Sequence, residues 1–234
     1  MLERIFEVPG LPGFDIPAEL QRLYAGDLGF EPGPRLYGNF VSSLDGVVEL
    51  NRPGTSSGPA LSARNEGDRF VMGLLRACAE VVVVGAGTLR AEPGHLWTAG
   101  YIYPPAAAAF AELRSRLGLP PDPPLCVVSR SGNLDRSDRV FQEQDVRVVR
   151  DLDHLPGGRA LCEGGSHLFG QLIDQRRVDE LFLTLSPLLA GRAGPGRLGM
   201  VEGVELLPER LVGATLLSTR RSGSHLLLRY SFTR

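Results

Sequence analysis

Ala160-Leu161-Cys162-Glu163-Gly164-Gly165-Ser166 is a short apolar run ending in a glutamate and two glycines, and Leu168, Phe169, Leu172 and Ile173 follow it at helical spacing. The stretch reads as a strand, a tight turn and a helix. The paired glycines let the backbone turn sharply and let a ligand approach the unpaired N–H groups of the first helical turn. Such a junction suits a phosphate or pyrophosphate, although glycines between a strand and a helix also serve as a plain tight connection.

Two other junctions are built alike. Val81-Val82-Val83-Val84 runs into Gly85-Ala86-Gly87-Thr88, and Leu125-Cys126-Val127-Val128 runs into Ser129-Arg130-Ser131-Gly132. Continuous apolar runs belong to strands covered by helices on both faces, and ligands of open α/β sheets gather outside the carboxyl ends of those strands. Three such ends can line one site.

The chain has 234 residues, 43% of them hydrophobic, enough to bury a sizeable core in one large α/β domain. Basic and acidic side chains nearly balance, 25 against 27, and no basic run appears, which argues against nucleic acid as a partner. No apolar stretch approaches the roughly 20 residues needed to cross a bilayer, and no basic segment leads into an apolar one at the N-terminus. A soluble, cytoplasmic protein with no membrane association is the expectation. Cys78, Cys126 and Cys162 sit singly in apolar segments, and the four histidines are scattered, so core cysteines and no metal site are expected. Every basic residue is arginine. That removes a phosphate-loop lysine, a pyridoxal phosphate Schiff base and any lysine-dependent acid–base step.

Residues 1–34 are rich in Pro and Gly, with a helical candidate at 17–24, and read as an arm laid over a domain of residues 35–234. A strand over 35–42 ends in the turn pair Asp45-Gly46, and a loop spans 50–59. Ser62 or Asn65 caps a helix running to Cys78, with Phe70, Val71, Leu74, Leu75 and Cys78 on one face and Arg76 pointing away. After the Val81 strand come a loop through Trp97, an alanine-rich helix stopping at Gly118, and strands over 146–150 and 181–185. Alternating strands and helices predict a mainly parallel sheet. The segments 214–219 and 226–232 predict an antiparallel hairpin at one edge, where Leu226, Leu228, Tyr230 and Phe232 form an apolar strip suited to a homodimer contact.

Five segments in order, Asn39 to Gly46, Leu74-Leu75-Arg76, Val84 to Thr88, Glu163-Gly164-Gly165, and Val178 to Leu181 with Ser186-Pro187, resemble the reductase domain of bacterial riboflavin biosynthesis. The resemblance spans roughly 35–232, and the deaminase domain often fused ahead of that reductase has no counterpart in the sequence. It implies a dihydrofolate-reductase-like fold, a mixed, mainly parallel sheet flanked by helices with a C-terminal antiparallel hairpin. It also implies NADPH-dependent reduction of the ribosyl group of 5-amino-6-(5-phosphoribosylamino)uracil, a small-molecule substrate, to its ribityl form.

Site residues follow from the same resemblance. Val41, Gly85, Gly87, Thr88 and Glu92 are implied cofactor contacts. Gly164, Gly165, Ser166 and Leu168 form the segment that receives the pyrophosphate, and Ser129 with Arg130 meets the adenosine 2′-phosphate, favouring NADPH over NADH. On the substrate side stand Ser56, Arg76 as a cation for the sugar phosphate, and Glu163 as an acceptor for the amino-pyrimidine. Asp45 and Glu163 are the candidate acids for the proton that accompanies hydride transfer. Asp45 also suits a purely structural turn.

Two positions depart from the family. Val47 stands where a basic residue usually follows Asp-Gly, and the stretch from Glu92 to Ala99 lacks the arginine that would meet substrate phosphate, Ala99 falling at its place. Trp97 adds an aromatic surface suited to stacking on a flat ring. Two other readings therefore remain: an NADPH-dependent reductase of another heterocycle such as a dihydropterin, and a catalytically silent nucleotide-binding protein.

Overall fold

In the computed structural model, which describes residues 1–52, 56–192 and 196–233, the apolar runs become neighbouring strands of one sheet. The elements follow as β1 (Glu3–Glu7), α1 (Ala18–Tyr24), β2 (Arg35–Ser42), α2 (Ser57–Leu61), α3 (Glu66–Cys78), β3 (Val81–Gly85), α4 (Ala86–Ala91), α5 (Ala99–Ile102) and α6 (Ala107–Arg116). They continue as β4 (Leu125–Val128), α7 (Val140–Glu143), β5 (Val146–Val149), β6 (Arg159–Cys162), α8 (Ser166–Asp174), β7 (Glu180–Leu185), β8 (Ala214–Ser222) and β9 (His225–Phe232). The strand order is β1-β8-β9-β7-β2-β6-β3-β4-β5 among the described residues. Strands β7, β2, β6, β3, β4 and β5 pair in parallel, while β9 and β8 and then β1 continue the sheet antiparallel. Carboxyl ends of β2, β6, β3 and β4 therefore emerge on one side.

Period-two alternation divides β3 between two cores. Val82 and Val84 pack under α3 and α6, and Val81 and Val83 pack under α8. Both faces are buried, as the unbroken valine run predicts. Helix α3 starts where Asn65 accepts from the Asp68 N–H at 3.0 Å, and its last carbonyls are gripped from α6: Arg114 donates to the Arg76, Ala77 and Ala79 oxygens. Seating α3 on the sheet fixes where Arg76 meets the carboxyl end of β6.

Several expectations change. The loop over 50–59 ends in α2, and its residues 53–55, Gly54 and Thr55 included, lie outside the described residues. The Gly85 to Thr88 segment is not an open turn: Gly85 is the N-cap of α4, and Gly87 and Thr88 lie inside it. The C-terminal hairpin is not at an edge. Strand β9 lies between β7 and β8, and the outer strand is β1 from the N-terminal segment. Residues 1–34 thus supply a strand and the buried side chains Leu2, Ile16, Leu20, Tyr24, Leu28 and Phe30. With β9 paired on both sides, the exposed apolar edge that suggested a homodimer is absent.

Candidate active site

A cavity of about 450 Å³ opens over the carboxyl ends of β2 and β6, with α2, α3 and α4 around it. It gathers residues far apart in sequence: Val41 from β2, Ser56, Asp68 and Arg76 from α3, Thr88, Glu92, His95, and the run Glu163 to Ser166. Nine of the expected site residues meet here, namely Val41, Ser56, Arg76, Thr88, Glu92, Glu163, Gly164, Gly165 and Ser166.

Glu163 and Arg76 form the charged centre. The Arg76 Nε donates to both Glu163 carboxylate oxygens at 3.0 and 3.2 Å, and Nη2 donates to Oε2 at 2.6 Å. The pair is buried, with side-chain exposures of 1% and 7%. Nη1 donates to the carbonyls of Leu96 and Thr98, each at 3.2 Å, and the remaining Nη2 hydrogen points to His95 Nε2 at 3.2 Å. All five guanidinium hydrogens are committed inside the protein. Arg76 therefore does not serve as the free phosphate cation that the sequence suggested; it orients Glu163 and ties the 95–98 segment to α3. Because arginine only donates, His95 accepts at Nε2 and is a neutral imidazole, and burial together with the Arg76 charge lowers its pKa to about 3. His95 was not singled out from sequence, and nothing local between Gly94 and Leu96 marks it.

The phosphate side is built from backbone. Gly164 has φ +93°, a conformation for which glycine is suited, and its carbonyl accepts from the Gly85 N–H at 2.8 Å. The Gly164-Gly165 peptide is cis. A Cβ on Gly165 would lie 3.2 Å from Thr88 Oγ1, so this turn and α4 approach as closely as side chains allow. Ser166 opens α8, is 2% exposed, and its Oγ has no hydrogen-bond partner among the described residues. An orphaned hydroxyl beside the free N–H groups of a nine-residue helix is a fitting receptor for a pyrophosphate, and a Cβ-free turn leaves room for its approach. The residues present therefore fit a dinucleotide cofactor.

Other expected residues fall elsewhere. Asp45 does not line the cavity. Its carboxylate accepts from the Ser43 hydroxyl at 2.6 Å and from the Ala190 and Gly191 N–H groups at 2.9 and 2.7 Å, and these bonds lower its pKa to about 2. An acid kept ionised and turned toward residues 190–191 suits the structural turn role that the sequence also allowed for Asp45. Leu168 is buried in the α8 core, and Gly85 supports the glycine turn from behind rather than lining the cavity. Gly87 is in α4 with open space beside it. Ser129 and Arg130 stand beyond the cavity at the end of β4, adjoining β3, with Ser129 buried and Arg130 exposed. Glu92 accepts from the Ser56 hydroxyl, which joins an expected cofactor contact to an expected substrate contact. Trp97 lines the cavity and is 2% exposed, its ring set roughly perpendicular to that of His95, while Val47 and Ala99 are buried.

Asp68 is the other residue the sequence reading passed over. It is not named there; in the fold it lies in the first turn of α3 and forms a cavity wall, 5% exposed.

Comparison with known proteins places this geometry in a family. The model of the RibD C-terminal domain matches residues 34–228. No match was found among curated proteins. Among solved structures, a pyrimidine reductase-like protein from Corynebacterium diphtheriae superposes with a TM-score of 0.64 at 19% identity, over 86% of this chain and 92% of that one. The diaminohydroxyphosphoribosylaminopyrimidine deaminase/5-amino-6-(5-phosphoribosylamino)uracil reductase of Thermotoga maritima gives 0.59 at 19% identity, over 85% of this chain and 56% of that one. The riboflavin biosynthesis reductase Rib7 of Saccharomyces cerevisiae gives 0.54 at 15% identity, over 93% and 99%. The chain thus spans little more than half the length of the Thermotoga protein. These likenesses show that the mixed sheet described above is shared with these reductases.

Proposed function

The chain belongs to the RibD C-terminal domain family, and on that premise we propose that it is an NADPH-dependent reductase of 5-amino-6-(5-phosphoribosylamino)uracil in riboflavin synthesis. The observation that carries this reading is the pairing, in one cavity, of a glycine turn with an orphaned Ser166 hydroxyl and a buried Glu163 carboxylate held by Arg76. One side suits a dinucleotide; the other suits an amino-substituted ring.

Gly164, Gly165, Ser166 and Thr88 would hold the pyrophosphate against α8, and Val41 would floor the cavity. Ser129 and Arg130, on the neighbouring strand end, would meet a 2′-phosphate, since a hydroxyl beside a guanidinium suits a dianion. When bound, the nicotinamide supplies the hydride. Glu163 keeps lone pairs free beyond its bonds to Arg76 and accepts from a ring amino group. The neutral His95 adds polarity without charge. Arg64 lines the cavity at a left-handed backbone position and forms no ion pair among the described residues, which leaves it as the cation for a sugar phosphate.

A second reading keeps the fold and the cofactor but replaces the substrate by a heterocycle without a phosphate. The full commitment of Arg76 and an acidic wall of Asp68, Glu92 and Glu163 favour it. Oxidation of NADPH in the presence of the ribosylaminouracil phosphate, with NADH in parallel and product mass as readout, separates the two. The proposed function predicts a gain of two hydrogens and a preference for NADPH. NADPH binding without turnover would transfer the case to the second reading.

A further inference from the structure

We propose that Asp68 is the proton donor of the reduction, because its carboxyl is buried in the cavity wall with no ion-pair partner among the described residues. This assignment rests on the reductase reading. A hydride delivered to carbon needs a proton on the oxygen that leaves it, and a general acid must reach that oxygen from the cavity wall.

The other acids are occupied or misplaced. Glu163 accepts three bonds from Arg76. Glu92 takes the Ser56 hydroxyl, and Asp45 lies outside the cavity clamping residues 190–191. Glu49, at the mouth, is half-buried near His167 and Glu202. Asp68 alone combines burial and cavity contact with no ion-pair partner among the described residues.

Its surroundings come from three elements. Ser62 follows α2, Thr184 is on β7, and His225 on β9 faces them. Asn65 Nδ2 donates to His225 Nδ1 at 3.1 Å, and His225 Nε2 donates to the Ser62 carbonyl at 3.0 Å, so the imidazole spends both nitrogens on amide groups. Arg69, next on α3, donates to the Ile102 carbonyl instead. Glu163 is the neighbouring carboxylate. Burial pushes the Asp68 carboxyl up to about 6; the Thr184 and Ser62 hydroxyls and His225 oppose the rise, and Glu163 adds to it. An acid tuned to near neutrality is matched to proton transfer at physiological pH.

The step balances. A C–H bond forms at the sugar carbon from the hydride of the reduced nicotinamide, and the bond from that carbon to the ring oxygen breaks. The electron pair stays on oxygen and takes the Asp68 proton. Asp68 is left ionised and regains a proton from water before the next turnover.

The test compares wild type, Asp68→Asn and Asp68→Glu with NADPH and the ribosylaminouracil phosphate from pH 5 to 9. The inference expects wild-type kcat to fall as pH rises above about 6, and Asp68→Asn to lose roughly 10²–10⁴-fold in kcat with KM changed less than about threefold. NADPH affinity should be unaltered, and Asp68→Glu should restore part of the rate. An Asn variant within about threefold of wild-type kcat, or an unchanged pH profile, overturns it. Should the wild type bind NADPH yet leave this substrate unreduced, the reductase reading is what fails. Infrared difference titration then decides separately: a protonated carboxyl band absent from Asp68→Asn and lost as pH rises through about 6 supports an acid here, and no such band overturns it.

Discussion

The two halves of the cavity are made of different materials. Around Gly85, Gly164, Gly165 and Ser166 the site is backbone: a left-handed glycine, a close approach to Thr88, and helical N–H groups. Around Arg76, His95 and Glu163 it is side chains, and each charge is consumed by another part of the protein. The difference teaches that a residue of the right charge at the right position in a motif need not face the ligand. Arg76 suits phosphate by chemistry, yet six intramolecular hydrogen bonds make it a strut for the carboxylate that does face the cavity.

Breaking the strut is the largest expected effect. Arg76→Ala would leave Glu163 buried and unpaired, costing about 3–5 kcal/mol of stability in denaturant unfolding, with turnover lost. A loss under about 1 kcal/mol would show that the side-chain half is not locked by charge. Next, Gly164→Ala forces a side chain into φ +93°, which should cost about 1–3 kcal/mol and weaken NADPH at least about tenfold by fluorescence titration, while Glu163 remains in place. Equal NADPH affinity would remove the backbone half from cofactor binding.

A third prediction concerns pH. The Asp68 pKa is raised from 3.8 to about 6 on folding, so the native state holds a proton that the unfolded chain releases, and stability falls as pH rises through that window. Asp68→Asn should therefore raise stability by roughly 1–3 kcal/mol at pH 8, with the gain vanishing below about pH 4 in thermal melts across pH. Asp45 has the opposite sign: its contribution is present above about pH 4 and is lost as pH falls through about 2. Asp45→Asn should leave kcat within about twofold and loosen the backbone at 190–191, seen as faster amide exchange. A large loss of kcat would return Asp45 to the catalytic machinery.

Local grammar carried the fold well. Val81 to Gly85 and Leu125 to Val128 announced buried parallel strands because every position is apolar, and both cores use the alternate valines. What local grammar does not encode is pairing over distance. The strand over 3–7 is polar and short, so its place at the outer edge followed only from β8 being available beside it. The same holds in the site. The glycine turn was legible because a backbone need names its residue type. Asp68 sits in the first turn of α3, and only the approach of Ser62, Thr184 and His225 from other parts of the chain makes it a buried wall. His95 gains its tautomer from Arg76, nineteen residues earlier.

The register of β1 carries a consequence for how the protein is made. Glu3 sits opposite Arg221, and Arg220 closes over Tyr24 and Glu7, so the opening segment finds its partners only after nearly the whole chain has been translated. Ile16 and Leu20 meanwhile share their core with Phe70, Leu74, Phe110 and Leu113, which all precede β8 in the chain. The parallel strands can assemble during that interval, since β2 through β7 precede β8. Strand β1 thus closes the sheet late, on a hairpin that itself needs β7 beside it.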